Sequence, residues 1–289
     1  MFAKLTDTNK AAIFSVLVLF MATGVALLIR ILELTPNLGM WILWSCTPSV
    51  AALIMLLVVT REGYSRDGWK LLGLHRLGLG VWWIAFGLTL LITVAASAIV
   101  WATPLASFVV PEGGILNAVI NFLINVCILA LTFSLAEEIG IRGYLLPNLL
   151  PLGRTRALAL SGLVWATWHM PLILLTPILP VGNKLISLPL FYGTVVAASF
   201  IFGYLRIYTG SVWPASIAHA VHNSAWPILG TFTATSSSVL VNKYLVGDFG
   251  VLILIGAMIG AVLVGYILRR GLNRPQSSVV GSQVAPAAK

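Results

Sequence analysis

Two adjacent carboxylates, Glu137 and Glu138, are followed four residues on by Arg142, inside a stretch that otherwise reads as a membrane helix. Ile115 to Leu135 precede them and Gly143-Tyr144-Leu145-Leu146-Pro147 follow. An ionised group at bilayer mid-depth costs about 2.5–3.5 kcal/mol on insertion scales, and such groups mark functional sites by default. On a helix Glu138 and Arg142 are i,i+4 neighbours and can pair. Glu137 points about 100° away and is free to face something else. The plainer reading is a solvated ion pair at a helix end. Two further polar clusters interrupt apolar runs: Trp165-Ala166-Thr167-Trp168-His169, and His219-Ala220-Val221-His222-Asn223. A carboxylate with an imidazole can deprotonate water and return the proton to a leaving group. A second imidazole and an amide can donate to a developing oxyanion. A Glu with two His, here Glu137, His169 and His219, is also a three-ligand set for zinc with an open water position. Both routes lead to hydrolysis of an acyl bond.

The elements that must position these groups follow from composition. Of 289 residues, 59% are hydrophobic and 9% charged, which excludes a soluble globular domain and describes a polytopic, all-α membrane bundle. Eight candidate spans are read at 11–32, 40–60, 79–101, 115–149, 157–175, 185–206, 212–229 and 251–268. The fourth is too long for one straight crossing, so a kink is expected near Gly140, Gly143 or Pro147. The fifth and seventh carry polar residues, as helices lining a cavity do. Residues 1–275 read as one transmembrane domain with its core at 115–230, and the Ser-, Ala- and Pro-bearing tail 276–289 as disordered. The first span follows Lys4 and Lys10 and has no small-residue cleavage site after it, so a retained span is expected rather than a signal peptide.

The net charge of +9 is a topology signal rather than a nucleic-acid one. Thirteen of the 17 Lys and Arg fall in the two termini and the loops after the second, fourth and sixth spans. Lys184, Lys243 and Arg30 fall on the other side, and Arg142 lies within. Both termini are therefore expected in the cytoplasm. The segment 61–79 suits either an interfacial stretch or an ordinary loop, with His75 a solvated loop histidine. Cys46 and Cys127 read as free thiols. Gly256 and Gly260 form a small-xxx-small pair for close helix packing.

Depth brings the polar clusters together. Measured from the cytoplasmic helix ends, Glu137 and His169 each lie roughly 18 Å inward, and His219 and Asn223 roughly 10–16 Å. One cavity open to the cytoplasm could gather all four, with the cut near the cytoplasmic leaflet. The usual His-Glu-x-x-His and Gly-x-Ser-x-Gly signatures are absent. Ser134 and Ser161 have no evident base, and Cys127 is about 15 Å from Glu137 along the helix.

At these residues the chain resembles the CPBP family of intramembrane proteases, which includes CAAX prenyl endopeptidases and bacteriocin-processing enzymes. The motifs are Glu137-Glu138-x-x-x-Arg142, Trp165-x-x-x-His169 and His219-x-x-x-Asn223, over roughly 117–227. The family's usual Phe is Trp165 here, which is expected to alter packing rather than chemistry. The resemblance implies that Glu137, helped by His169, activates the attacking water, that His219 and Asn223 stabilise the oxyanion, and that Glu138 and Arg142 hold the architecture or assist. It leaves open whether a zinc ion is needed, and it assigns no role to His222. The implied substrate is a membrane-associated protein or peptide, prenylated or lipid-anchored, in a bacterial inner membrane. No nucleic-acid partner is implied. Two alternatives stand beside it: a non-catalytic immunity or scaffold protein that keeps the fold, and a proton-coupled transporter. The transporter would favour repeated halves, which the chain lacks.

Overall fold

The first helix shows how this chain divides its side chains between protein and lipid. Thr6 caps it by accepting from the Asn9 amide at 3.2 Å, and α1 (Asp7–Ile31) follows. Ala11, Phe14, Val18, Ala22, Ala26 and Ile29 form one buried stripe. Val16, Phe20 and Ile31, on the other side, are exposed. An apolar helix with one buried stripe and an equally apolar outer face fits a bilayer rather than water.

The computed structural model describes residues 5–178 and 182–269. Beyond α1, the main helices are α2 (Leu38–Val59), α3 (Leu79–Trp101), α4 (Gly114–Leu152), α5 (Arg154–Leu175), α6 (Lys184–Thr209), α7 (Trp213–Thr231) and α8 (Val251–Ile267). They coincide with the eight predicted spans to within a few residues. The first six are long and apolar enough to cross a membrane, and α8 is a shorter apolar helix. The helix α7 is not among them, because the residues that weaken its hydropathy are His219, His222, Asn223 and their polar neighbours. Lys4, Arg270, Arg274, Lys289 and the tail 276–289 lie outside the described residues.

Contacts between loops sort the bundle into two ends. At one end the loops after α2, α4 and α6 gather, and Lys10, at the start of α1, pairs with Glu62 at 2.7 Å. There Ser211 Oγ donates to Arg76 O at 2.6 Å, Trp213 Nε1 to Leu74 O at 3.1 Å, and Arg206 Nη2 to Leu71 O at 2.7 Å. At the other end, a short antiparallel pair joins β1 (Ser107–Phe108) to β2 (Thr233–Ala234). Arg30 Nη1 donates to Leu175 O there at 3.2 Å, and the Asn183 amide to Tyr244 Oη at 2.7 Å. Lys10, Arg61, Arg66, Lys70, Arg76, Arg154, Arg156, Arg206 and Arg269 all belong to the first end. We call it the basic end, and the opposite one the distal end.

The segment between α2 and α3 folds as a short helix, Arg66–Lys70, followed by a loop that packs under α6 and α7. His75 is exposed, as expected. Partial burial, and then Arg76, Arg206 and Lys70, hold its pKa below the ordinary histidine value. Cys46 and Cys127 are free thiols. A Cβ added at Gly256 would come within 2.7 Å of Ile92, and one at Gly260 within 3.0 Å of Ile201, so the small-residue pair does admit close packing of α8 on α3 and α6.

The long α4 departs from expectation. Its break is at Thr132, with φ −126° and ψ −99°, upstream of the residues expected to kink it. Thr132 Oγ1 donates to Ile128 O at 2.6 Å, the back-bonding by which threonine bends a helix. Over Ile139–Leu145 the helix widens into a π-helical turn rather than kinking. That turn lies against α2, where any Cβ on Gly140 would meet the side chain and carbonyl of Pro48. Gly140→Ala is therefore expected to lower the melting temperature by the equivalent of about 1–3 kcal/mol, the usual cost of overpacking. Gly24→Ala, which meets nothing within 4 Å, serves as the neutral control in the same detergent melt.

Candidate active site

The site is built on the lower limb of α4, beyond the Thr132 break. Glu138 and Arg142 have fully buried side chains, and Arg142 Nη1 donates to Glu138 Oε1 at 3.0 Å. The solvated-pair reading is excluded by that burial. The guanidinium stacks 4.1 Å from the Trp165 ring centroid of α5 and 5.2 Å from that of Phe202 in α6. Aromatic faces thus offset part of the charge that water no longer solvates. Glu138 Oε1 also accepts from His219 Nδ1 at 3.1 Å. One carboxylate oxygen therefore holds the arginine of its own helix and the imidazole of α7.

That bond fixes His219. With Nδ1 committed to Glu138, its Nε2 lies 4.0 Å from Glu137 Oε2. Trp165 Nε1 donates to the same Glu137 oxygen at 3.1 Å. The other oxygen of Glu137 carries no hydrogen bond to a described residue, and Glu137 lines a cavity of about 450 Å³. The same cavity is lined by His169, His219 and Asn223. His169 Nδ1 lies 2.9 Å from Trp165 O. A carbonyl only accepts, so the proton sits on Nδ1 and Nε2 is left as the acceptor. Trp168 and Phe191 meet the His169 ring edge to face, with centroids at 4.6 and 5.1 Å. All six residues singled out by sequence are thus in one neighbourhood. Four of them line the cavity, while Glu138 and Arg142 stand behind, out of reach of solvent.

Several expectations are corrected. Trp165 is not a packing variant alone: its indole N–H bonds Glu137, which a phenylalanine could not do. The signal was present, because a tryptophan three residues before another and four before a histidine places a donor on the histidine's own face. His222 pairs with Asp248 at 2.8 Å, and both line the cavity. Asp248 lies in the loop before α8, far from any motif, and nothing local marked it. Among the described residues, no three His, Cys, Asp or Glu side chains are arranged to hold a metal ion.

The lining of the cavity lies toward the distal end. It includes Trp41, Trp44 and Ser45 at the distal start of α2, Leu172 near the distal end of α5, and Asp248 and Phe249 of the distal loop. The basic end is cross-braced by hydrogen bonds. Arg206, itself buried, donates from Nε to Arg142 O at 3.1 Å as well as to Leu71 O, and Leu72 is 1% exposed between them. Depth counted from helix ends places the residues at one level but does not say which end stays open.

A membrane-embedded carboxylate, two imidazoles and an amide around one apolar cavity define a polytopic membrane protein with a buried hydrolase-like site. Residues 116–225 match the family model described as Type II CAAX prenyl endopeptidase Rce1-like, a segment that contains all three motifs and the whole α4–α7 constellation. That match covers 110 of the 289 residues and supports the resemblance to the CPBP intramembrane proteases, with a CAAX-type endopeptidase core. No curated protein matches the chain.

Two outcomes follow from the buried cluster. Arg142→Ala leaves Glu138 without its cation and is expected to cost about 3–5 kcal/mol of stability, read from the melting temperature. An unchanged melt would mean the pair is solvated. Trp165→Phe keeps an aromatic face on Arg142 but removes the donor to Glu137. It is expected to slow cleavage of a prenylated CAAX peptide by about 10- to 150-fold, in keeping with a charge-assisted hydrogen bond of about 1.5–3 kcal/mol, with little change in melting temperature.

Proposed function

We propose that the protein hydrolyses a peptide bond in a membrane-associated protein or peptide, prenylated or lipid-anchored, using water activated by Glu137. The observation that carries this reading is the convergence of Glu137, His169, His219 and Asn223 on one cavity. Glu137 takes a proton from water held at its free oxygen, and His169 Nε2 accepts a hydrogen bond from the same water and orients it. The hydroxide attacks the carbonyl carbon. The resulting oxyanion is met by Nε2–H of a doubly protonated His219, whose Nδ1–H stays bonded to Glu138, and by the Asn223 amide. Glu137 then returns the proton to the amine nitrogen as the C–N bond breaks. Glu138 and Arg142 touch no reacting atom in this scheme. They are positioning residues that hold His219 by its Nδ1–H and turn Nε2 toward Glu137.

The cellular setting proposed is a bacterial inner membrane, with the basic end and both termini in the cytoplasm. The support is the charge bias between the two ends of the bundle.

Glu137→Gln keeps the size of the side chain and an acceptor for Trp165 but removes the base. Turnover of a prenylated CAAX peptide in detergent should fall by a factor of about 10²–10⁴, with the melting temperature preserved. Asn223→Ala should lower kcat by about 10²–10³, the loss typical of one oxyanion donor, with little change in KM. Retained turnover in Glu137→Gln would remove Glu137 from the role of base.

A further inference from the structure

We propose that the substrate enters from the distal end of the bundle, as an apolar peptide stretch presented at the extracytoplasmic face. This rests on the orientation given under Proposed function, and it reverses the entry side expected from sequence. Three independent observations support it.

The first is the lining. The cavity runs from Glu137, Trp165 and Phe202 to residues that lie in the distal halves of their helices or beyond them. In α2 these are Trp41 and Trp44, about 5–9 Å from its distal start, and in α7 Trp226, about 8 Å from its distal end. The only loop residues among the described lining are Asp248 and Phe249, and both belong to the loop between α7 and α8. None comes from the loops after α2, α4 or α6.

The second is the seal at the other end. The loop carrying Leu71 to Arg76 lies across the basic ends of α6 and α7. It is fastened by Arg206 to Leu71, Trp213 to Leu74, Ser211 to Arg76, and the Val212 amide to Gly73 O at 3.3 Å. A Cβ on Gly143, one turn below Glu138, would come within 3.0 Å of Leu72 O. Water or peptide approaching from the basic end would have to break these bonds and displace a buried arginine. Approach from the distal end meets the cavity lining itself, with His222 and Asp248, 20% and 34% exposed, as a polar rim.

The third is chemistry and size. Between rim and floor the walls are mostly aromatic and aliphatic, including Trp44, Phe191, Trp226, Phe249 and Ile253. A volume of about 450 Å³ holds a few apolar side chains of an extended peptide, and lies within the usual range for specific ligand sites. With nine of the 13 described cations at the basic end, the distal end faces away from the cytoplasm.

The test uses single cysteines in the full chain lacking Cys46 and Cys127, and a charged, membrane-impermeant thiosulfonate as probe. Thr155→Cys reports the basic end, Ser236→Cys the distal end and Ala198→Cys the cavity wall. Ser45→Cys is the second cavity position should Ala198→Cys not fold. In spheroplasts of an expressing bacterial host, Ser236→Cys and the cavity cysteine are expected to react, the latter at least tenfold faster than Thr155→Cys. Thr155→Cys should react only after lysis. If Ser236→Cys reacts in spheroplasts but both cavity cysteines react only after lysis, distal entry is overturned while the orientation stands. If Thr155→Cys reacts in spheroplasts and Ser236→Cys does not, the orientation is inverted and extracytoplasmic entry falls with it. Neither result depends on turnover, so failure of the hydrolase reading would show separately, in the Glu137→Gln assay.

Discussion

The Glu138 carboxylate is the point on which the rest of the structure depends. A carboxylate with no exposure to water must be matched by donors, or its desolvation outweighs the packing around it. Glu138 finds two, the Arg142 guanidinium one turn along its own helix and the His219 imidazole of α7. Breaking either contact leaves a charge in a medium that cannot screen it. The pair Glu138–Arg142 therefore does more than neutralise itself: it specifies which face of α7 turns toward α4, and so where His219 and Asn223 stand.

The aromatic residues extend that specification to the other two core helices. Trp165 lies against the Arg142 guanidinium, donates to Glu137 and supplies through its carbonyl the acceptor for His169 Nδ1. One residue of α5 thereby touches three of the site's side chains, and none of these contacts would survive a rotation of α5 by one position. Phe202 of α6 closes the other side of the arginine. The π-helical turn at Ile139–Leu145 and the close approach of Gly140 to Pro48 bring α2 against the same limb, and Trp168 Nε1 bonds Thr47 of α2 at 2.9 Å. The polar members of the site are thus held by elements on three sides.

Openness is arranged with the same economy. At the basic end, Arg206 spans the Arg142 carbonyl of α4 and the Leu71 carbonyl of the loop after α2, filling with one side chain the space through which water would pass. At the distal end the His222–Asp248 pair joins α7 to the loop before α8, and Asp248 and Phe249 border the cavity from that loop. A polar floor below apolar walls suits a reaction in which water must be present in small number and a peptide must lie in place of lipid.

Much of this was legible in the residues alone. The span count followed from apolar run length, because every backbone group in lipid must be bonded within its helix. The pairing of Glu138 with Arg142 followed from i,i+4 spacing, and the gathering of Glu137, His169, His219 and Asn223 from the cost of leaving such groups separately in lipid. These are short-range or one-dimensional constraints, and a sequence carries them directly. What only the tertiary structure decided depends on which faces of distant helices meet. The bond from Trp165 to Glu137 joins residues 28 apart, and the His222–Asp248 pair joins a helix to a loop with no motif of its own. The break at Thr132 rests on a hydroxyl choosing a carbonyl over solvent. Which end of the cavity is open was undecidable from depth, since a residue midway along a helix is equally far from both ends. That Arg206 is fastened to the loop at Leu71, 135 residues away in sequence, is equally a matter of which distant elements meet.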